Sequence, residues 1–152
     1  MSQPVHFARL VTFLGKAAYQ PTAYQSPYDA QQTFPTQYVA AALAEFLRPD
    51  EVVVLATDDA WEVHGGQFTA QLCDHQGLTP QRIVFPAGRS EGELWAQFEI
   101  LKEALRVPNS SAPGRVALDI TLGFRSAPFF CAGVVSFLQL VDERPPEVSI
   151  YY

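Results

Sequence analysis

Val116-Ala117-Leu118-Asp119-Ile120-Thr121-Leu122-Gly123-Phe124-Arg125-Ser126-Ala127-Pro128-Phe129-Phe130 reads as a strand, a tight turn and the start of a helix. Val116 to Ile120 is short and nearly all apolar, the pattern of a strand buried on both faces of a parallel sheet. Gly123 lets the chain turn, Ser126 is a good N-cap, and Pro128 suits a first helical turn, where a missing N–H costs nothing. A helix is therefore expected from about Ser126. Its unpaired backbone N–H groups and the positive end of its dipole then face the loop carrying Thr121, Arg125 and the Ser126 hydroxyl, which makes a phosphate-sized anion site. A surface cation beside an ordinary cap accounts equally well for these residues taken alone. A hydrolase nucleophile elbow does not, because it needs Gly-x-Ser-x-Gly and here the order is Gly123-Phe124-Arg125-Ser126-Ala127.

Ahead of that stretch, strands and helices alternate. Ala8 to Leu14, Glu51 to Ala56 and Arg82 to Phe85 read as strands, with Glu147 to Tyr152 as a last one. Helices are expected over Thr36 to Phe46 with Thr36 as cap, from Thr57 to Gly77, over Glu91 to Arg106 and over Ala127 to Val141. This order specifies an α/β fold, Rossmann-like and doubly wound, with a mainly parallel sheet and helices on both faces. Residues 16–35 are too rich in aromatics, glutamine and proline for a helix and read as a long loop or irregular hairpin, Thr22 to Gln25 with Gln32 to Phe34. Tyr19, Tyr24 and Tyr28 there can stack on a base or pack against a second subunit. Val107 to Gly114 reads as an exposed connection. The helix Ala127 to Val141 is apolar almost all round, so another chain or domain is expected to cover it.

Length and charge narrow the function. The 152 residues make one domain, 1–152, long enough to enclose a core. A net charge of −6 argues against a long nucleic acid or an anionic membrane as partner, since both are held by extended basic surfaces. Any phosphate ligand must meet a local pocket. Cys73 and Cys131 lie far apart without metal spacing and read as buried free thiols in a reducing compartment. The start, Met1 to Phe7, has no signal-peptide pattern and no stretch reaches the length of a membrane span, so a cytoplasmic protein is expected. No metal and no cofactor are expected: His64 and His75 are too far apart along one helix to share an ion, and His6 has no visible partner. Asp58 and Asp59 fit the first turn of a helix, Asp59 with Glu62 having the spacing of a capping box. After Gly15, Lys16-Ala17-Ala18-Tyr19 lacks the Gly-x-Gly-x-x-Gly turn of an ordinary dinucleotide site.

The run Asp119 to Ser126, with Val11-Thr12-Phe13-Leu14-Gly15 near the start and Pro49 to Leu55 between, resembles the CRISPR-associated Rossmann fold (CARF) sensor domains over nearly the whole chain. The resemblance implies a homodimer whose two copies form one cradle for a cyclic oligoadenylate, cyclic tetra-adenylate foremost, in type III CRISPR antiviral defence. It places Gly15 and Lys16 in one ligand loop and Thr121, Leu122, Gly123, Arg125 and Ser126 in the other. It further implies an effector nuclease, fused or separate, of which no domain is read in this chain. Some such domains cleave their ligand, so a metal-independent ring nuclease is the alternative, with no catalytic residue assigned. A Rossmann-like domain for another nucleotide or phosphorylated metabolite is the remaining one. Position 122 is Leu where the family often has His, and Lys16-Ala17-Ala18 replaces its second small residue, which leaves ring size and ligand cleavage open.

Overall fold

The protein is described from a computed structural model covering residues 5–107 and 115–152. Residues 1–4, and all but the first residue of the connection expected at Val107 to Gly114, lie outside the described residues. The elements run β1 (Arg9–Leu14), β2 (Thr22–Gln25), β3 (Thr33–Thr36), α1 (Val39–Leu47), β4 (Glu51–Ala56), α2 (Asp58–Gln76), β5 (Gln81–Val84), α3 (Glu91–Leu105), β6 (Arg115–Asp119), α4 (Ala127–Val141) and β7 (Glu147–Tyr151). Five strands form one sheet in the order β5-β4-β1-β6-β7, every pair parallel. The chain builds outward from β1 through β4 to β5, then crosses back and builds outward again through β6 to β7. The winding therefore reverses between β1 and β6, which are direct neighbours with Leu10 beside Ala117 and Thr12 beside Asp119.

Burial on both faces explains why the inner strands β1, β4 and β6 read as apolar runs. Leu10, Leu14, Val52, Val54 and Ala117 pack under α1 and α2, while Val11, Phe13, Val53, Leu55 and Leu118 pack under α3 and α4. Arg9, the charged residue of β1, is buried at the strand's start. Its guanidinium donates to Glu51 (2.6 Å) and to the carbonyls of Ala104 (2.7 Å) and Arg106 (3.0 Å) at the end of α3. A cation is well placed there, where helix carbonyls lack partners.

The irregular segment is a hairpin: β2 and β3 pair antiparallel with Thr22 opposite Thr36. That pairing moves the start of α1. Thr36 ends β3, and its hydroxyl accepts the N–H of Tyr38, the actual N-cap, while donating to Gln71. α2 is capped by Thr57, whose hydroxyl accepts from the N–H of Ala60, so Asp59 and Glu62 do not supply the expected capping box. Gly77 closes α2 in the left-handed conformation, as expected. Ser126 stands immediately before α4 but in helical dihedrals (φ −80, ψ −13), with no hydrogen bond from its side chain to the helix. A turn does the entry work instead, the N–H of Ala127 donating to the carbonyl of Phe124. Cys131 is buried, but Cys73 lies exposed on the outer side of α2, contrary to the expectation for both thiols.

Candidate functional site

At the carboxyl ends of the strands lies a cavity of about 360 Å3. Four strand-exit loops reach it: Gly15 and Lys16 after β1, Thr57 and Asp59 around the start of α2, Ala87 and Arg89 after β5, and Leu122, Gly123 and Phe124 after β6. Its apolar lining comes from Phe13, Leu55 and Phe85, with the rings of Phe13 and Phe85 edge to face at 5.3 Å. In an open parallel sheet such a position, beside the reversal of winding, is where ligands collect.

The first loop is held from below. The N–H of Gly15 donates to the hydroxyl of Tyr19 (2.8 Å), and the Tyr19 ring stacks on His64 at 4.6 Å. His64 Nε2 lies 2.7 Å from the carbonyl of Ala17; a carbonyl only accepts, so Nε2 carries the proton. Nδ1 of the same ring lies 3.1 Å from the hydroxyl of Tyr38. Burial pushes the Tyr19 phenol above its ordinary pKa, partly offset by the bond from Gly15. His64 is thus a structural clamp on the loop that carries Lys16.

The second loop is held by Asp119, which is fully buried at the end of β6. Its carboxylate accepts from the hydroxyl of Thr12 on β1 (2.7 Å) and from the backbone N–H of Thr121 (3.0 Å). Burial raises its pKa, and the bonds from Thr121 and Thr12 oppose the rise. Gly123 is needed for close approach: a Cβ there would lie 2.8 Å from that of Ala127.

Of the residues predicted from sequence, Gly15, Lys16, Leu122 and Gly123 meet in the cavity. Thr121 lines a separate apolar pocket between α1, the hairpin and β7, and Ser126 a small crevice beside Phe130. Arg125 is exposed, next in the chain to Phe124, and is not among the residues lining the cavity. Lys16 is not a bare cation, because its ammonium lies 3.3 Å from the carboxylate of Asp59.

No protein-family model matches this chain, and no curated protein matches it. The site therefore stands on its own geometry. That geometry joins an aromatic lining to a rim carrying Lys16 and Arg89, which suits a ligand with a flat apolar part and an anionic part. Among the described residues no group of three His, Cys, Asp or Glu side chains could hold a metal ion, and no helix is long and apolar enough to cross a membrane. Sequence reasoning missed Phe13, Thr57, Asp59 and Arg89. The signal for them was position, since each sits at or just past the carboxyl end of a predicted strand.

Proposed function

We propose that this chain is a homodimeric sensor domain of the CARF kind, binding a cyclic oligoadenylate, cyclic tetra-adenylate foremost, and controlling an effector nuclease in type III CRISPR antiviral defence. The observation that carries this reading is the meeting of the Gly15-Lys16 and Leu122-Gly123 loops in one cavity beside the switch of winding. Those are the two loops on which the family resemblance places the ligand. Adenine suits the aromatic lining, and the phosphodiester suits the cationic rim.

Dimerisation is supported by α4. None of its 15 residues is charged, and Phe129 and Leu140 are 84% and 86% exposed. A large apolar helix face left in water marks an interaction site. A two-fold pair of chains also matches a ring of repeating nucleotides, each copy supplying half of the contacts.

Calorimetric titration with cyclic tri-, tetra- and hexa-adenylate tests the proposal. The expected result is one cyclic tetra-adenylate per two chains, with binding at least tenfold weaker for Lys16→Ala. Absence of heat with all three rings, with the protein folded by circular dichroism, overturns it.

A further inference from the structure

The β5 exit loop adds something that the two-loop reading does not contain. The sequence has ten Lys and Arg residues, and among the described residues seven form ion pairs: Arg9, Lys16, Arg48, Arg82, Lys102, Arg106 and Arg115. Arg89, Arg125 and Arg144 have no carboxylate within ion-pair distance among the described residues. Of these three, Arg89 lines the cavity. On a chain of net charge −6, a cation kept out of ion pairs at the mouth of a cavity is a place for an anion from outside.

The backbone around Arg89 is fixed at several points. Gly88 takes the left-handed conformation (φ 77), and a Cβ there would come 2.8 Å from the side chain of Gln97. Gln97 is itself buried and donates to the carbonyl of Pro86 (2.7 Å). The N–H of Arg89 donates to the carboxylate of Glu93 (2.6 Å), and Ser90 caps α3 by accepting from the N–H of Glu93. These bonds engage the main chain and leave the guanidinium in solvent. Such a fixed loop lowers the ordering cost of a contact made by its side chain.

We infer that Arg89 is a third phosphate-binding position of this cavity, so that a phosphodiester ligand is gripped from the β5 exit loop as well as from the loops after β1 and β6. The inference deepens the sensor reading and rests on it for the identity of the ligand. Arg89 carries the charge that Lys16, already paired with Asp59, supplies only by giving up its partner. Its planar fork meets two phosphate oxygens at once, which a lysine ammonium does not reproduce.

The test titrates two probes, inorganic pyrophosphate and cyclic tetra-adenylate, against the wild type, Arg89→Gln, Arg89→Lys and the control Arg144→Gln. Expected are a loss of at least tenfold for both probes in Arg89→Gln, partial recovery in Arg89→Lys, and wild-type affinity in Arg144→Gln. The salt dependence of binding should also weaken in Arg89→Gln, since one screened charge contact is lost. Equal affinities for wild type and Arg89→Gln overturn the inference while leaving the sensor reading intact. Arg89-dependent binding of pyrophosphate without any binding of the cyclic ligand overturns the sensor reading and keeps the phosphate position. A wild type that takes up neither probe overturns both.

Discussion

Thr12 on β1 donates its hydroxyl proton to the buried carboxylate of Asp119 on β6, at 2.7 Å, across the gap where the winding of the sheet reverses. The other carboxylate oxygen holds the N–H of Thr121, so one side chain ties the ligand-side loop of β6 to its neighbouring strand.

Replacing Asp119 therefore acts on that loop and on its pH response. Asp119→Ala leaves the N–H of Thr121 without its acceptor and is expected to cost about 1–3 kcal/mol in urea unfolding. Asp119→Asn keeps a carbonyl for Thr121, and the Thr12 hydroxyl has a second acceptor 3.3 Å away in the carbonyl of Phe13. The folded carboxyl has a raised pKa, so the folded state holds its proton where the unfolded state has released it. Its stabilising contribution is thus complete below the unfolded aspartate value of about 3.9 and is lost as pH rises through the folded value. Urea midpoints measured against pH should lose this decline in Asp119→Asn; an unchanged profile contradicts the assignment.

On the other side of the cavity, His64 should behave as a loop clamp. His64→Ala removes the bonds to Ala17 and Tyr38 and the stacking under Tyr19. The expected cost is about 1–3 kcal/mol, with faster amide exchange in the Gly15–Tyr19 loop. Global destabilisation without any change in that loop refutes the clamp.

How far the sequence reached depends on the kind of signal each residue carried. The strands were legible because Val52 to Leu55 and Val116 to Leu118 are buried on both faces and so cannot alternate. Gly77 marked the end of α2 because its left-handed conformation costs little only for glycine or asparagine. Thr36 misled because one hydroxyl can cap at a distance: it bonds the N–H of Tyr38 while its own backbone is the last residue of the hairpin, whose second strand runs two residues beyond the expected Phe34. The pairing of Lys16 with Asp59 spans 43 positions, and only the neighbouring of β1 and β4 brings the two together. Arg89 escaped notice for the same reason, its role depending on which strand ends share a rim.

The two thiols should separate cleanly. Cys73 is exposed, whereas burial pushes the Cys131 thiol up to about 12. A thiol reagent at pH 8 is expected to modify one cysteine promptly in the folded protein and the second only on unfolding, since the thiolate is the reactive form. Mapping the first adduct to Cys131 contradicts the packing of α4.

Glycine substitutions give opposite signs at two positions. Gly66 lies inside α2 with nothing beyond its adjoining residues and its own helix backbone within 4 Å of the place an alanine methyl would take, so Gly66→Ala should stabilise by about 1 kcal/mol. Gly88→Ala forces a left-handed alanine against Gln97 and should destabilise by roughly 1–2 kcal/mol. Chemical denaturation of both variants reads the difference.

The exposed face of α4 makes the last prediction, and it separates association from folding. Leu140 is 86% exposed, so Leu140→Glu removes little packing within one chain and should change its stability by no more than about 0.5 kcal/mol. If two copies meet on this face, the same change buries a carboxylate without a partner, which breaks an interface far more than it harms a monomer. Phe129→Glu should act alike, because Phe129 and Leu140 lie about three turns apart on one side of the helix. Sedimentation should give twice the 16.8 kDa of one chain for the wild type and a single chain for either variant, with circular dichroism unchanged. A wild type that sediments as a monomer at all concentrations removes this face from the dimer, and a dimer that survives both substitutions places its interface elsewhere.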